Sequence, residues 1–92
     1  MDLTTKEIIK KTYKNKDQIV NSNGCGCYNC TKLFTPDMIV EYTDHGETAL
    51  CPYCGIDSVL GSNMGYDITV NFLTTLKEDI FEEYNTIYTQ RK

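Results

Sequence analysis

The stretch Cys25-Gly26-Cys27-Tyr28-Asn29-Cys30, followed after twenty residues by Cys51-Pro52-Tyr53-Cys54-Gly55-Ile56-Asp57-Ser58-Val59-Leu60-Gly61, decides how this chain folds. Cys27-x-x-Cys30 and Cys51-x-x-Cys54 each have the spacing of a chelating turn, and two such turns can bring four thiolates onto one tetrahedral ion. Zinc is the ordinary occupant of such a set, so one structural Zn²⁺ held by Cys27, Cys30, Cys51 and Cys54 is expected. Pro52 and Gly55 strengthen the second knuckle, Pro by restricting its turn and Gly by tolerating a positive φ. Cys25 precedes Cys27 by two residues, the wrong interval for the same turn, and is read as a buried neighbouring thiol. Gly26 is expected to let the backbone turn closely past the metal. His45, in the polar turn Asp44-His45-Gly46-Glu47, is read as exposed, since four cysteines already complete the site.

Outward from the knuckles, a chain of 92 residues makes one domain with a small core, for which a metal staple is valuable. Its segments read as a helical amino-terminal part (1–22), a zinc module (23–62) and a carboxy-terminal amphipathic helix (67–90). Thirteen acidic and nine basic side chains give a formal charge of −4, and four thiolates on a divalent ion would make it more negative. That balance argues against binding nucleic acid mainly by neutralising phosphates, although Lys6, Lys10, Lys11, Lys14 and Lys16 leave one end basic. Knuckle spacing within an odd total of five cysteines favours a reducing compartment. With no signal-like apolar run and no segment of membrane-spanning length, a cytoplasmic location is expected.

Thr4-x-x-Glu7 has the form of a helix-starting capping box, with Ile8, Ile9, Thr12 and Tyr13 on one stripe. Asn15-x-x-Gln18 can cap a second short helix carrying Ile19 and Val20 toward the metal, and a single bent helix fits nearly as well. Between the knuckles, Leu33-Phe34 reads as a short strand. Thr35-Pro36-Asp37 reads as a helix start, placing Met38, Ile39, Val40 and Tyr42 on a short helix; a strand competes. Thr48-Ala49-Leu50 returns as a strand into Cys51. After the second knuckle, Ile56, Val59 and Leu60 fit one helical face with Gly61 as the stop, which favours a GATA-like treble clef over a zinc ribbon. From Thr69 the pattern is helical: Leu73, Leu76, Ile80, Tyr84 and Ile87 form a stripe, widened by Phe72, Phe81 and Tyr88 and opposed by Glu78, Asp79, Glu82 and Glu83.

The stretch from about Asn15 to Thr69 resembles a family of small, uncharacterised bacterial cytoplasmic proteins with a CGC-x-x-C knuckle, a Phe-x-Pro-x-x-Ile segment and a TALCPYCGIDSV block. Here these are Cys25 to Cys30, Phe34 to Ile39, and Thr48 to Val59. The resemblance implies zinc ligation by the same four cysteines and brings no activity with it. Tyr42 stands where that family tends to have Trp.

These readings combine into an α+β fold: a small Cys₄ zinc-finger module with amino- and carboxy-terminal helices packed on it. Asp57 and Ser58 have no histidine or lysine placed by sequence to activate them, so the expected role is not enzymatic. A protein-interaction module, regulating or inhibiting a bacterial or phage process, is the leading expectation, with a nucleic-acid-binding zinc finger as the alternative. Phe81 and Tyr88, two turns apart and displaced from the main stripe, are the expected surface for a protein partner or for self-association.

Overall fold

Cys25–Cys27 (β1) is the middle strand of the principal sheet, and every layer of the fold packs on one of its two faces. The structure is a computed structural model that describes residues 3–90, with side chains described as far as Glu82. Leu33–Phe34 (β2) pairs antiparallel with β1 on one side, Cys25 opposite Phe34 and Gly26 opposite Leu33. Val59–Gly61 (β5) pairs antiparallel on the other, with Cys25, Gly26 and Cys27 opposite Gly61, Leu60 and Val59. Tyr42–Thr43 (β3) and Thr48–Ala49 (β4) form a separate hairpin. Its turn holds Asp44, His45 and Gly46 at φ of 54°, 62° and 83°. Asp and His are among the side chains that best tolerate this left-handed region.

Because successive strand residues face opposite ways, the sheet separates two cores. Cys25, Cys27, Phe34 and Val59 face one side, where they meet Ile19, Ile39, Ala49 and Cys51. Leu60 faces the other, packed with Ile8, Leu73 and Leu76 from the terminal helices. Gly26 also belongs to that second face. A Cβ there would lie 2.5 Å from Leu73 Cδ1 and 2.8 Å from Ile68 Cγ2. The glycine therefore lets the carboxy-terminal helix close on the sheet, rather than easing the backbone past the metal.

The amino-terminal segment is two helices, Leu3–Lys10 (α1) and Lys16–Val20 (α2). α1 already includes Thr4, so the expected capping box does not mark its start. Thr5, Ile8 and Thr12 are buried, whereas Tyr13 points to solvent. Three-residue turns end α1, and Lys14 at φ 50° breaks the chain before α2. In α2, Ile19 is fully buried and Val20 is exposed.

Asn15 precedes α2 but does not cap it with its side chain. Its Nδ2 instead donates to the Val59 carbonyl at 2.9 Å, and its Oδ1 accepts from the Ala49 N–H at 3.0 Å. β4 and β5 do not pair with one another. One buried carboxamide thus supplies the link that a strand would otherwise make.

Two expected helices are not formed. After a single 3₁₀ turn at Pro36–Met38, Ile39 is extended (φ −77°, ψ 123°) and the chain runs into β3. Burial here alternates, with Ile39 inside and Val40 81% exposed, which is the period of a strand. The helix through Ile56 to Leu60 is likewise absent. Val59 and Leu60 are both fully buried but on opposite faces of the sheet, while Ile56 is exposed. Pairing with the free edge of β1 outweighs the local helical pattern, and the treble-clef arrangement falls with it; both knuckles are turns between strands.

The carboxy-terminal helix, Val70–Gln90 (α3), begins three residues later than its expected start at 67. Thr69 Oγ1 accepts from the Phe72 N–H at 3.1 Å, which is an N-cap contact. Leu73 and Leu76 are buried, Ile80 is half-buried and Phe81 is 65% exposed. Tyr84, Ile87 and Tyr88 lie outside the residues whose side chains are described. No helix among the described residues is long and apolar enough to cross a membrane.

Replacing Asn15 by Ala should lower the stability of the folded chain by roughly 2–6 kcal/mol. Two buried backbone groups lose their partners, each at a cost of about 1–3 kcal/mol. Denaturant unfolding measures it; a loss below about 0.5 kcal/mol would show that the amide bridge is dispensable.

Candidate metal centre

Each knuckle places its first cysteine in or beside a strand and its second on the turn that follows. In the first, the hairpin between β1 and β2 carries Cys27 and Cys30, with the Thr31 N–H donating to the Cys27 carbonyl at 2.8 Å. In the second, the Gly55 N–H donates to the Cys51 carbonyl at 2.9 Å, and the Cys51 N–H donates to the Ile56 carbonyl at 2.9 Å. The two turns share a left-handed position after the second cysteine. Gly55 fills it at φ 76°, and Thr31 fills it at φ 62°.

The sulfurs of Cys27, Cys30, Cys51 and Cys54 all lie within 4.8 Å of one another. Cys27 Sγ is 3.6 Å from Cys54 Sγ, and Cys30 Sγ is 3.7 Å from Cys51 Sγ. A tetrahedron with metal–sulfur bonds of about 2.3 Å has sulfur–sulfur edges of about 3.8 Å. The four thiols are therefore positioned to hold one metal ion, and the spacing is compatible with zinc. Among the described residues this is the group of cysteine, histidine and acidic side chains that meets such a spacing.

Amide donors surround the sulfurs. The Asn29 and Cys30 N–H groups donate to Cys27 Sγ at 3.3 and 3.4 Å, and the Tyr53 N–H donates to Cys51 Sγ at 3.4 Å. The Lys32, Cys54 and Ile56 N–H groups serve Cys30, Cys51 and Cys54 in the same way. Two side chains add to the set: Ser58 Oγ lies 2.9 Å from Cys27 Sγ, and Asn29 Nδ2 lies 3.6 Å from Cys54 Sγ. Such donors stabilise thiolates and orient them for a metal.

Without a metal, burial pushes the Cys27, Cys30 and Cys51 thiols above their ordinary range, and the backbone donors only partly offset it. At Cys54 burial also opposes ionisation, but the Ile56 N–H, the Asn29 amide and the Cys27 and Cys51 thiols together outweigh it and bring the group down to about 7.

Cys25 stands apart. Two residues along a strand is about 7 Å, so it shares the face of Cys27 but sits farther along it, fully buried beside Phe34 and Gly61. Burial raises its thiol to about 11. His45 is exposed in the β3–β4 turn and does not join the site. Asp57 is exposed, while Ser58 is fully buried and bonded to sulfur. The serine was legible as a polar residue after a knuckle, but its sulfur partner lies 31 positions away and no local signal points to it.

No family model matches this chain, and neither curated proteins nor solved structures give a significant match.

Loading a divalent ion at pH 7 should release between about three and four protons. Cys27, Cys30 and Cys51 enter as thiols and Cys54 is about half ionised, whereas all four must bind as thiolates. Affinity must then fall as pH drops, because protons compete for the same sulfurs. Calorimetric titration in buffers of differing ionisation enthalpy counts the protons; release of one or none would exclude four-thiolate binding.

Proposed function

We propose that this chain is a non-enzymatic structural-zinc module of the ribbon type, which presents a surface to a protein partner and regulates or inhibits a bacterial or phage process. The observation that carries the metal reading is the meeting of four sulfurs at tetrahedral spacing. Zinc is the usual ion for such a donor set, and four protein ligands leave no open position for a water or a substrate. A closed ion of this kind stabilises a fold rather than performing a reaction.

Support for a protein partner comes from the outer surface of α3. Phe81 is 65% exposed and lines a shallow hollow of about 280 Å³ with Lys77, Glu78 and Glu82. An exposed aromatic ring within a charged rim is a pattern enriched at protein interfaces. Part of the basic amino-terminal surface is engaged within the chain itself. Lys11, Lys14 and Lys16 lie over the rings of Tyr66, Tyr13 and Tyr42 at 4.9, 5.4 and 5.4 Å. Together with the net charge of −4, this favours a protein partner over nucleic acid.

Elemental analysis of the purified protein should find about one zinc per chain. Cys27→Ser and Cys54→Ser should each lose the ion and much of the fold, because structural zinc contributes on the order of 10 kcal/mol in small finger peptides. Cys25→Ser should keep the full zinc content. A well-folded wild type without metal would end the zinc reading.

Phe81→Ala should weaken association with a co-purifying protein, or with a second copy, while leaving the zinc-bound melting temperature within about 2 °C, as expected for a surface substitution. Pull-down, light scattering and thermal melts check both halves. A melt that falls by the amount typical of a core truncation would assign Phe81 to packing instead.

A further inference from the structure

The four sulfurs are not equally exposed. Cys27 is fully buried and Cys51 is 3% exposed, whereas Cys30 and Cys54 are half-buried. The cage therefore has a closed side and an open side. On the closed side, Ser58 is itself fully buried, and its carbonyl already accepts from the Tyr28 N–H at 3.1 Å. Its hydroxyl is left facing Cys27 Sγ at 2.9 Å. An ionised Cys27 has no proton to give, so the hydroxyl must donate. Cys27 then receives three hydrogen bonds, from the Asn29 N–H, the Cys30 N–H and Ser58.

We infer that Ser58 is a positioning residue for the metal: its hydroxyl holds Cys27 in place as the last ligand to leave, so that the ion exchanges through the half-exposed Cys30–Cys54 edge. The inference rests on the structural-metal reading above. A hydroxyl donated to a thiolate occupies a lone pair of the sulfur and makes the ligand harder to displace. It also fixes the side chain in one orientation. Loss of an outer partner of this kind typically lowers metal affinity by about 10- to 100-fold. Cys30 and Cys54, open to water, are the sulfurs that an incoming chelator reaches first.

The test uses the full-length zinc-loaded chain, a limiting zinc chelator and iodoacetamide, with alkylated cysteines mapped over time by mass spectrometry. In the wild type, Cys30 and Cys54 should be alkylated first and Cys27 last. Cys25, outside the cage, reports general unfolding. Ser58→Ala should transfer zinc at least about tenfold faster and bring Cys27 into the early group. Ser58→Thr, which retains the hydroxyl, should restore the wild-type order. Val59→Ala thins the adjoining core without touching a sulfur, and should speed all sites together while preserving their order. Early alkylation of Cys27 in the wild type, or a Ser58→Ala pattern matching that of Val59→Ala, would overturn the inference. A wild-type chain that holds no zinc would overturn the metal reading itself, and this inference with it.

Discussion

The constraint on which the structure depends is that two short turns, separated by twenty residues, must bring their sulfurs within bonding distance of one point. Four thiolates so close would repel one another strongly if left alone. A bound divalent cation would offset that repulsion, and the amide donors at every sulfur would spread what charge remains. The strands are short, at two or three residues each, and would be marginal as an isolated sheet. Their pairing depends on the ends being fixed by the knuckles, and the knuckles depend on the strands to aim Cys27 inward.

The second support comes from the amino-terminal segment, and it is polar. Asn15 fastens β4 to β5 on either side of the second knuckle. Neighbouring contacts join the same region: the Lys14 N–H donates to Thr48 Oγ1 at 2.8 Å, Thr48 Oγ1 donates to Asp44 Oδ2 at 2.8 Å, and the Lys16 N–H donates to the Glu47 carbonyl at 2.9 Å. Every buried side-chain nitrogen and oxygen among the described residues has a partner. In so small a core an unpaired polar group would cost a large fraction of the net stability. Residues 14–16 are therefore part of the four-cysteine module physically, although the sequence divides them from it by a polar loop.

The meeting of the four cysteines was legible because chelation imposes its own spacing, which survives whatever the rest of the chain does. Strand Leu33–Phe34, the turn around His45 and the carboxy-terminal helix were legible from local patterns: an apolar pair, a polar glycine-containing turn and an apolar stripe at helical spacing. The segments that misled were those whose structure is set at a distance. Ile56, Val59 and Leu60 make a credible helical face in isolation, yet β1 requires an edge partner and takes Val59–Gly61. Gly26 resembles a metal-turn glycine until Leu73 is seen to pack on it. Asn15 looks like a helix cap, and its actual partners lie 34 and 44 positions away.

Thr31 makes the two knuckles unequal in backbone strain. Gly55 adopts its left-handed conformation without steric penalty. Thr31, β-branched and at φ 62°, bears a cost of roughly 1–2 kcal/mol in the equivalent place. The Cys51–Cys54 turn can accordingly form without backbone strain, whereas the Cys27–Cys30 turn keeps its shape only where the pairing of β1 with β2 offsets that cost.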